Sequence, residues 1–148
     1  MKVNNQISFQ LMSLPENVAV ARVTVAAMAA QLNFTLSELD EIKVAVSEAV
    51  SNAIIHGYEN NPKYYVQVVI KLYERALEIV VEDQGKGIED IEQALQPAYS
   101  SEPERMGLGF VFMQSFMNDF RVKSEVGKGT QVIMVKKLEA ESDPSPES

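Results

Sequence analysis

Four short groups of residues carry side chains and backbone shapes that could do chemistry. Glu48, Asn52 and His56 stand four residues apart, so on a helix they form one polar stripe. Glu48 offers a carboxylate able to take a proton, and Asn52 an amide with both donors and acceptor. A solvated helix face gives the same pattern, and His56 alone reads as a helix-end residue serving terminal carbonyls. Asp83 ends an apolar run and is followed by Gln84-Gly85-Lys86-Gly87-Ile88. Such clusters are often only tight turns. The chemical alternative is an acceptor-only carboxylate that takes a hydrogen bond from an exocyclic amine such as adenine's. The glycines would then let the base approach the backbone. Gly107-Leu108-Gly109-Phe110 stands at an expected helix start, where accessible N–H groups favour a phosphate. Gly127-Lys128-Gly129-Thr130 puts a hydroxyl after a flexible turn, which on its own is a hairpin. No GxxxxGK[ST] and no complete GxGxxG occurs, so neither the P-loop nor the dinucleotide fingerprint applies.

The elements that must position these groups follow from periodicity. Gln6 to Met12 alternates as a half-buried strand. Pro15-Glu16 opens an Ala/Val-rich helix to Leu32, with proline in its first turn. Thr35-Leu-Ser-Glu38 is a capping-box pattern that starts a second helix, with Leu39, Ile42, Val46, Ala49, Val50 and Ala53 on its apolar side and an end near Gly57. Tyr65 to Leu72 and Leu77 to Asp83 read as a strand pair turning at Glu74-Arg75. Gln84 to Arg105 is irregular, with one short helical stretch at Ile91 to Leu95. The Gly107 helix runs to about Met117, and strands Asp119 to Ser124 and Thr130 to Lys137 close the order. The expected fold is an α/β (α+β) two-layer sandwich, a mixed, mostly antiparallel sheet with three helices on one face.

Composition sets the outer limits. The chain has 148 residues, 46% of them hydrophobic, enough for one domain with a single core. Residues 1–138 read as that domain and 139–148 as an acidic, disordered Ser/Pro-rich tail. The net charge is −8, an acidic balance that argues against broad affinity for nucleic acid or anionic lipid. There is no cysteine and one histidine, which excludes thiolate chemistry, disulfides and multi-histidine metal sites. The N-terminus lacks the apolar run of a signal peptide and no stretch is long enough to span a bilayer, so a cytoplasmic protein is expected.

Taken in order, the four groups resemble the nucleotide-binding fold shared by gyrase B, Hsp90, histidine kinases and MutL, over about residues 6–137. Glu48-Ala-Val-Ser-Asn52-Ala is similar to its N box, Asp83-Gln-Gly-Lys-Gly87 to its first glycine box and Gly107-Leu-Gly109 to its second. The resemblance implies a Bergerat-type ATP-binding fold. Within that superfamily, Ser47-Glu-Ala-Val-Ser-Asn-Ala-Ile-Ile-His-Gly-Tyr58 with Glu59-Asn-Asn61 resembles the anti-sigma F factors, small serine kinases of endospore-forming bacteria. Ala21-Arg-Val-Thr-Val25, Gly107 to Phe110 and Asn118-Asp119 agree with that family too.

What the resemblance implies can be put residue by residue. Asn52 would supply its amide oxygen to Mg²⁺, and Glu48 would accept a proton from, or orient, an attacking serine hydroxyl. Asp83 would anchor the adenine of ATP or ADP, with Thr130 close by through its hydroxyl or a bridging water. Gly85, Gly87, Gly107 and Gly109 would shape the pocket, while N–H groups around Leu108 to Phe110 would hold phosphates. Residues 88–106 would be a lid, with Arg105 at its hinge stabilising charge on the γ-phosphate. Arg22 matches the family position that contacts both protein partners, a sigma factor kept from RNA polymerase core and an anti-anti-sigma protein phosphorylated on serine. A homodimer is implied likewise. The alternatives are a general-stress anti-sigma kinase, a non-catalytic ATP-binding interaction module, and an ATP-hydrolysing fragment of a larger machine.

Overall fold

Alternating apolar residues build each strand, and the inward set of every strand faces the same helical layer. The computed structural model describes residues 2–95 and 102–139, and of residues 102–108 the backbone alone. Strand β1 (Asn5–Met12) turns Ile7, Phe9 and Leu11 inward, and its neighbour β2 (Tyr65–Leu72) buries Val66, Val68, Ile70 and Leu72. Strands β3 (Ala76–Asp83), β4 (Asp119–Glu125) and β5 (Gly129–Lys137) complete one five-stranded sheet in the order β1-β2-β3-β5-β4. Every pairing in it is antiparallel. The mixed, mostly antiparallel sheet expected from the sequence is thus antiparallel throughout. Tight turns join β2 to β3 and β4 to β5. Between β1 and β2 the chain goes out along one helix and back along the next, which returns it antiparallel.

Helix α1 (Asn17–Ala29) and helix α2 (Leu36–Asn52) pack on each other and on the sheet. Both helices bury small or β-branched residues, Ala21, Val25 and Ala29 in α1 and Ile42, Ala45, Val46 and Ala49 in α2. Short side chains let the two backbones approach closely. The α2 start is the capping box read from the sequence. Glu38 N–H donates to Thr35 Oγ1 at 3.1 Å and Thr35 N–H donates to Glu38 Oε1 at 2.8 Å. At its other end α2 widens into one π turn (Ala53–Gly57), in which Tyr58 N–H reaches back five residues to the Ala53 carbonyl at 2.9 Å. Such insertions are concentrated at functional sites.

A short helix α3 (Ile91–Ala94) follows β3, capped by Asp90, whose carboxylate accepts from Gln93 N–H at 3.1 Å. Helix α4 (Glu102–Phe116) completes the layer. Here the structure corrects the sequence reading, which started this helix at Gly107. The first turn accommodates Pro103, whose missing N–H costs nothing there. Gly107 and Gly109 therefore lie inside the helix rather than at its N-terminus. The far end of α4 is held by Lys136 of β5, which is buried, donates to the Phe116 carbonyl at 2.5 Å and pairs with Glu41 of α2 at 2.7 Å.

Candidate functional site

Asp83 is the last residue of β3 and lies opposite Thr130, near the start of β5. It is one of the few buried acids or bases of the core, only 6% exposed. Its carboxylate accepts from Gly85 N–H at 2.8 Å and from the backbone N–H of Thr130. Burial pushes the carboxyl up from the ordinary 3.8 to about 6, against the opposing pull of those two donors.

Two glycines from distant parts of the chain make room for it. A side chain at Gly57 would place its Cβ 2.7 Å from Asp83 Oδ1, and one at Gly129 would meet the Asp83 carbonyl at 2.1 Å. Gly129 also has φ +110, a region closed to side-chain-bearing residues.

Residues 83–88 are gripped on both sides. On one side Gly57 carbonyl accepts from Lys86 N–H at 2.9 Å, and the Tyr58 phenol accepts from Gln84 N–H at 2.7 Å. The same phenol donates to the Tyr65 carbonyl at 2.7 Å, and its ring stacks on Tyr64 with centroids 5.0 Å apart. Burial raises the Tyr58 pKa, so the hydroxyl keeps the proton it donates. On the other side Gly127 N–H donates to the Lys86 carbonyl at 2.8 Å and Ile88 N–H donates to Ser124 Oγ at 2.7 Å. The turn after β3 is thus held between the π turn and the β4–β5 turn.

A cavity of about 240 Å³ opens beside Asp83. Ala49, Ala53, Val81, Ile88, Phe110 and Val132 give it apolar walls, and Asn52, His56, Asp83, Lys86 and Thr130 stand among them. Apolar walls with a few aimed polar groups suit a flat heteroaromatic ring recognised at its edge. Asn52 Nδ2 is buried and unpartnered among the described residues, a state that costs free energy unless a ligand uses the amide. Beside it, a Cβ at Gly109 would fall 2.8 Å from Glu48 Oε1 and 3.5 Å from Asn52 Nδ2. The glycine inside α4 lets that helix close onto the polar stripe of α2. No cluster of three or more His, Asp or Glu able to hold a metal occurs among the described residues. A divalent cation at Asn52 would therefore need most of its oxygens from phosphate and water, which is how magnesium is commonly bound.

The structure brings together much of what the sequence singled out. Asn52, Asp83, Gly87, Phe110 and Thr130 line one cavity, with Glu48 and Gly109 next to Asn52. Gly85 sits behind Asp83, where any side chain would meet the Gly57 carbonyl at 2.0 Å. Arg22 of α1 lies outside the cavity and donates to Ser47 Oγ at 3.1 Å, beside Glu48 in sequence. The side chains of Arg105, Gly107 and Leu108 lie outside the described residues, as do residues 96–101 of the expected lid. With α4 beginning at Glu102, the N–H groups of Leu108 to Phe110 fall within its hydrogen-bonded body instead of at an open end. Sequence reasoning passed over Gly57, Lys86 and Ser124. Gly57 looked like a helix terminator, and only its contact with Asp83 gives it another role.

The family model described as Histidine kinase-like ATPase domain matches residues 11–136. The Anti-sigma F factor of Clostridium acetobutylicum is 49% identical over 138 residues, spanning 92% of this chain and 96% of that protein. The Anti-sigma F factor of Shouchella clausii is 48% identical over 136 residues, 90% of this chain and 93% of the relative. That of Anoxybacillus flavithermus is 46% identical over 138 residues, 92% and 94% respectively. Among solved structures, the RsbU and RsbW domains of a Mycobacterium tuberculosis protein superpose with a TM-score of 0.66 at 19% identity, over 91% of this chain and 32% of that one. At that identity the likeness concerns the fold. No helix among the described residues is long and apolar enough to cross a membrane.

Proposed function

The chain belongs to the anti-sigma F factor family of histidine kinase-like ATPase domains, and from that premise we propose that it is an ATP-dependent protein-serine kinase as well as an anti-sigma factor. In this reading it holds a sporulation sigma factor away from RNA polymerase core in the cytoplasm while ATP is bound. It also phosphorylates a serine of a small anti-anti-sigma protein, which then releases it. The observation that carries the reading is the pairing of Glu48 with Asn52 next to a cavity that also holds Asp83. A module that only bound nucleotide would need Asn52 and Asp83, but no carboxylate one helical turn further in.

The residues divide the work. Asp83 accepts from the exocyclic amine of adenine, and the apolar walls take the faces of the ring. Asn52 turns its amide oxygen to Mg²⁺, which supplies charge neutralisation on the phosphates when bound. Glu48 orients the acceptor serine and takes its proton as the hydroxyl oxygen attacks the γ-phosphorus and the bond to the ADP oxygen breaks. Arg105 is assigned the developing charge on the transferred group. Arg22, held by Ser47 at the level of Glu48, is assigned to partner contact, and the protein acts as a homodimer. Phosphoryl transfer needs positioning and charge compensation above all, which suits a chain lacking a strong nucleophile.

The test is incubation with radiolabelled ATP, Mg²⁺ and a small anti-anti-sigma protein. Label is expected on a serine of that protein, and Glu48→Gln is expected to bind Mg-ATP as the parent does while losing transfer. Steady ATP hydrolysis without label on the acceptor protein, or full transfer by Glu48→Gln, overturns the kinase assignment.

A further inference from the structure

Ser124 lies near the end of β4, outside the cavity lining, yet its hydroxyl makes three contacts at the edge of the site. Ile88 N–H donates to it at 2.7 Å, it reaches the Gly129 carbonyl at 3.0 Å, and it stands 2.8 Å from Thr130 Oγ1. Thr130 in turn lines the cavity and pairs in register with Asp83. One oxygen therefore joins the segment leaving the Gly85–Gly87 turn to the hydroxyl beside the base-facing carboxylate.

Proton counting shows why that matters. Ser124 has one hydroxyl hydrogen and two acceptors within reach, the Gly129 carbonyl and Thr130 Oγ1. If the hydrogen goes to Gly129, Thr130 must give its own hydrogen to Ser124 and can present only lone pairs to the cavity. An acceptor then stands next to the Asp83 carboxylate, also an acceptor. If Ser124 turns its hydrogen to Thr130 Oγ1, the Thr130 hydrogen is released and Thr130 faces the cavity as a donor. Acceptor beside donor is the complement of a 6-aminopurine edge, whose amine donates and whose adjacent ring nitrogen, N1, accepts. A 6-oxopurine presents the reverse pattern and is disfavoured.

We infer that Ser124 is a positioning residue for base recognition: it donates to Thr130 Oγ1 so that the Thr130 hydroxyl donates to the purine N1, while its lone pair fixes Ile88 beside the same site. The inference rests on the nucleotide reading above and adds to it a residue that touches neither base nor phosphate.

The test compares ATP with 1-deaza-ATP, which keeps the amine and lacks the N1 acceptor, by calorimetry on the full chain with magnesium, after thermal melts establish that each variant is folded. The parent is expected to prefer ATP by about tenfold, the scale of one hydrogen bond in a half-buried site. Ser124→Ala is expected to bring that ratio to about twofold or less, and Ser124→Thr, which keeps the hydroxyl, to restore it. In a Thr130→Val background Ser124→Ala should leave the ratio where Thr130→Val alone puts it. An equal loss of affinity for both nucleotides in Ser124→Ala, or an unchanged ratio, overturns the assignment. A parent that binds both nucleotides equally overturns it while leaving the nucleotide site intact. A parent that binds neither removes the nucleotide reading and this inference together.

Discussion

Replacing Asp83 by asparagine should make the ligand-free protein more stable while weakening its hold on ATP. The carboxyl is raised from 3.8 to about 6 chiefly by burial, so the folded protein holds its proton more tightly than the unfolded chain does. Stability from this group is present below pH 3.8 and lost as the pH rises through about 6. At neutral pH the buried charge therefore costs about 3 kcal/mol. Asparagine removes the charge, and the weaker acceptance from the Gly85 and Thr130 backbone donors is already counted in that figure, because the rise to about 6 is what burial leaves after their opposing pull. The net expectation is about 3 kcal/mol at pH 7.5, a melting temperature higher by about 9 °C. Urea or thermal melts of parent and Asp83→Asn at pH 7.5 and pH 4 read the difference directly, and other titrating groups cancel between the two proteins. The gap should close at the lower pH. A variant less stable than the parent at pH 7.5, or a gap that ignores pH, refutes the claim that desolvation dominates at Asp83. In the same samples Mg-ATP should bind about thirtyfold more weakly, because the amide cannot accept from adenine and from both backbone donors at once.

The other expectations rest on particular contacts. Parent affinity for ATP should fall between pH 7 and pH 5 as Asp83 takes up a proton, a change visible by titration at the two pH values and absent in Asp83→Asn. Gly57→Ala drives a methyl to 2.7–2.9 Å from all three carboxylate atoms of Asp83, so nucleotide affinity should drop at least tenfold with only about 1–3 kcal/mol lost in a denaturant melt. At the end of α4, Glu41→Ala strands the Lys136 ammonium, whose side chain is 10% exposed. Lys136→Met leaves a carboxylate whose side chain is 38% exposed and can be rehydrated. The first should cost about 3 kcal/mol and the second clearly less, by equilibrium unfolding. Arg22→Glu should weaken sigma-factor binding at unchanged ATP affinity, measurable by pull-down and calorimetry on the same preparations.

The close fit around Asp83 explains why a charged group can be kept in the core at all. Gly57, Gly85 and Gly129 bring three backbone segments within reach of one side chain, and two of the donors that hold it belong to those segments or their neighbours. Each glycine stands where a methyl group would strike backbone or carboxylate. The arrangement gives up stability of the ligand-free protein and leaves a carboxylate fixed in place at the cavity, which is what the proposed contact with a base requires.

By itself the sequence determined the pieces whose causes are local. Two-residue alternation specifies β1, β2 and β3. Thr35 and Glu38 specify the start of α2, and the four-residue spacing of Glu48 and Asn52 puts both on one helix face, because backbone geometry repeats within a few residues. The order of the glycine groups pointed to a nucleotide before any coordinate did. Tertiary structure alone decided what happens where distant segments meet. It widened the end of α2 into a π turn that aims Gly57 at Asp83, began α4 at Glu102 so that Gly109 could close on Glu48, and set Ser124 between Ile88 and Thr130. Apart from the link between Ser124 and Thr130 within one hairpin, those outcomes depend on contacts between residues 26 to 61 positions apart in the chain, and the pattern of any one segment contains no record of the surface that will press against it.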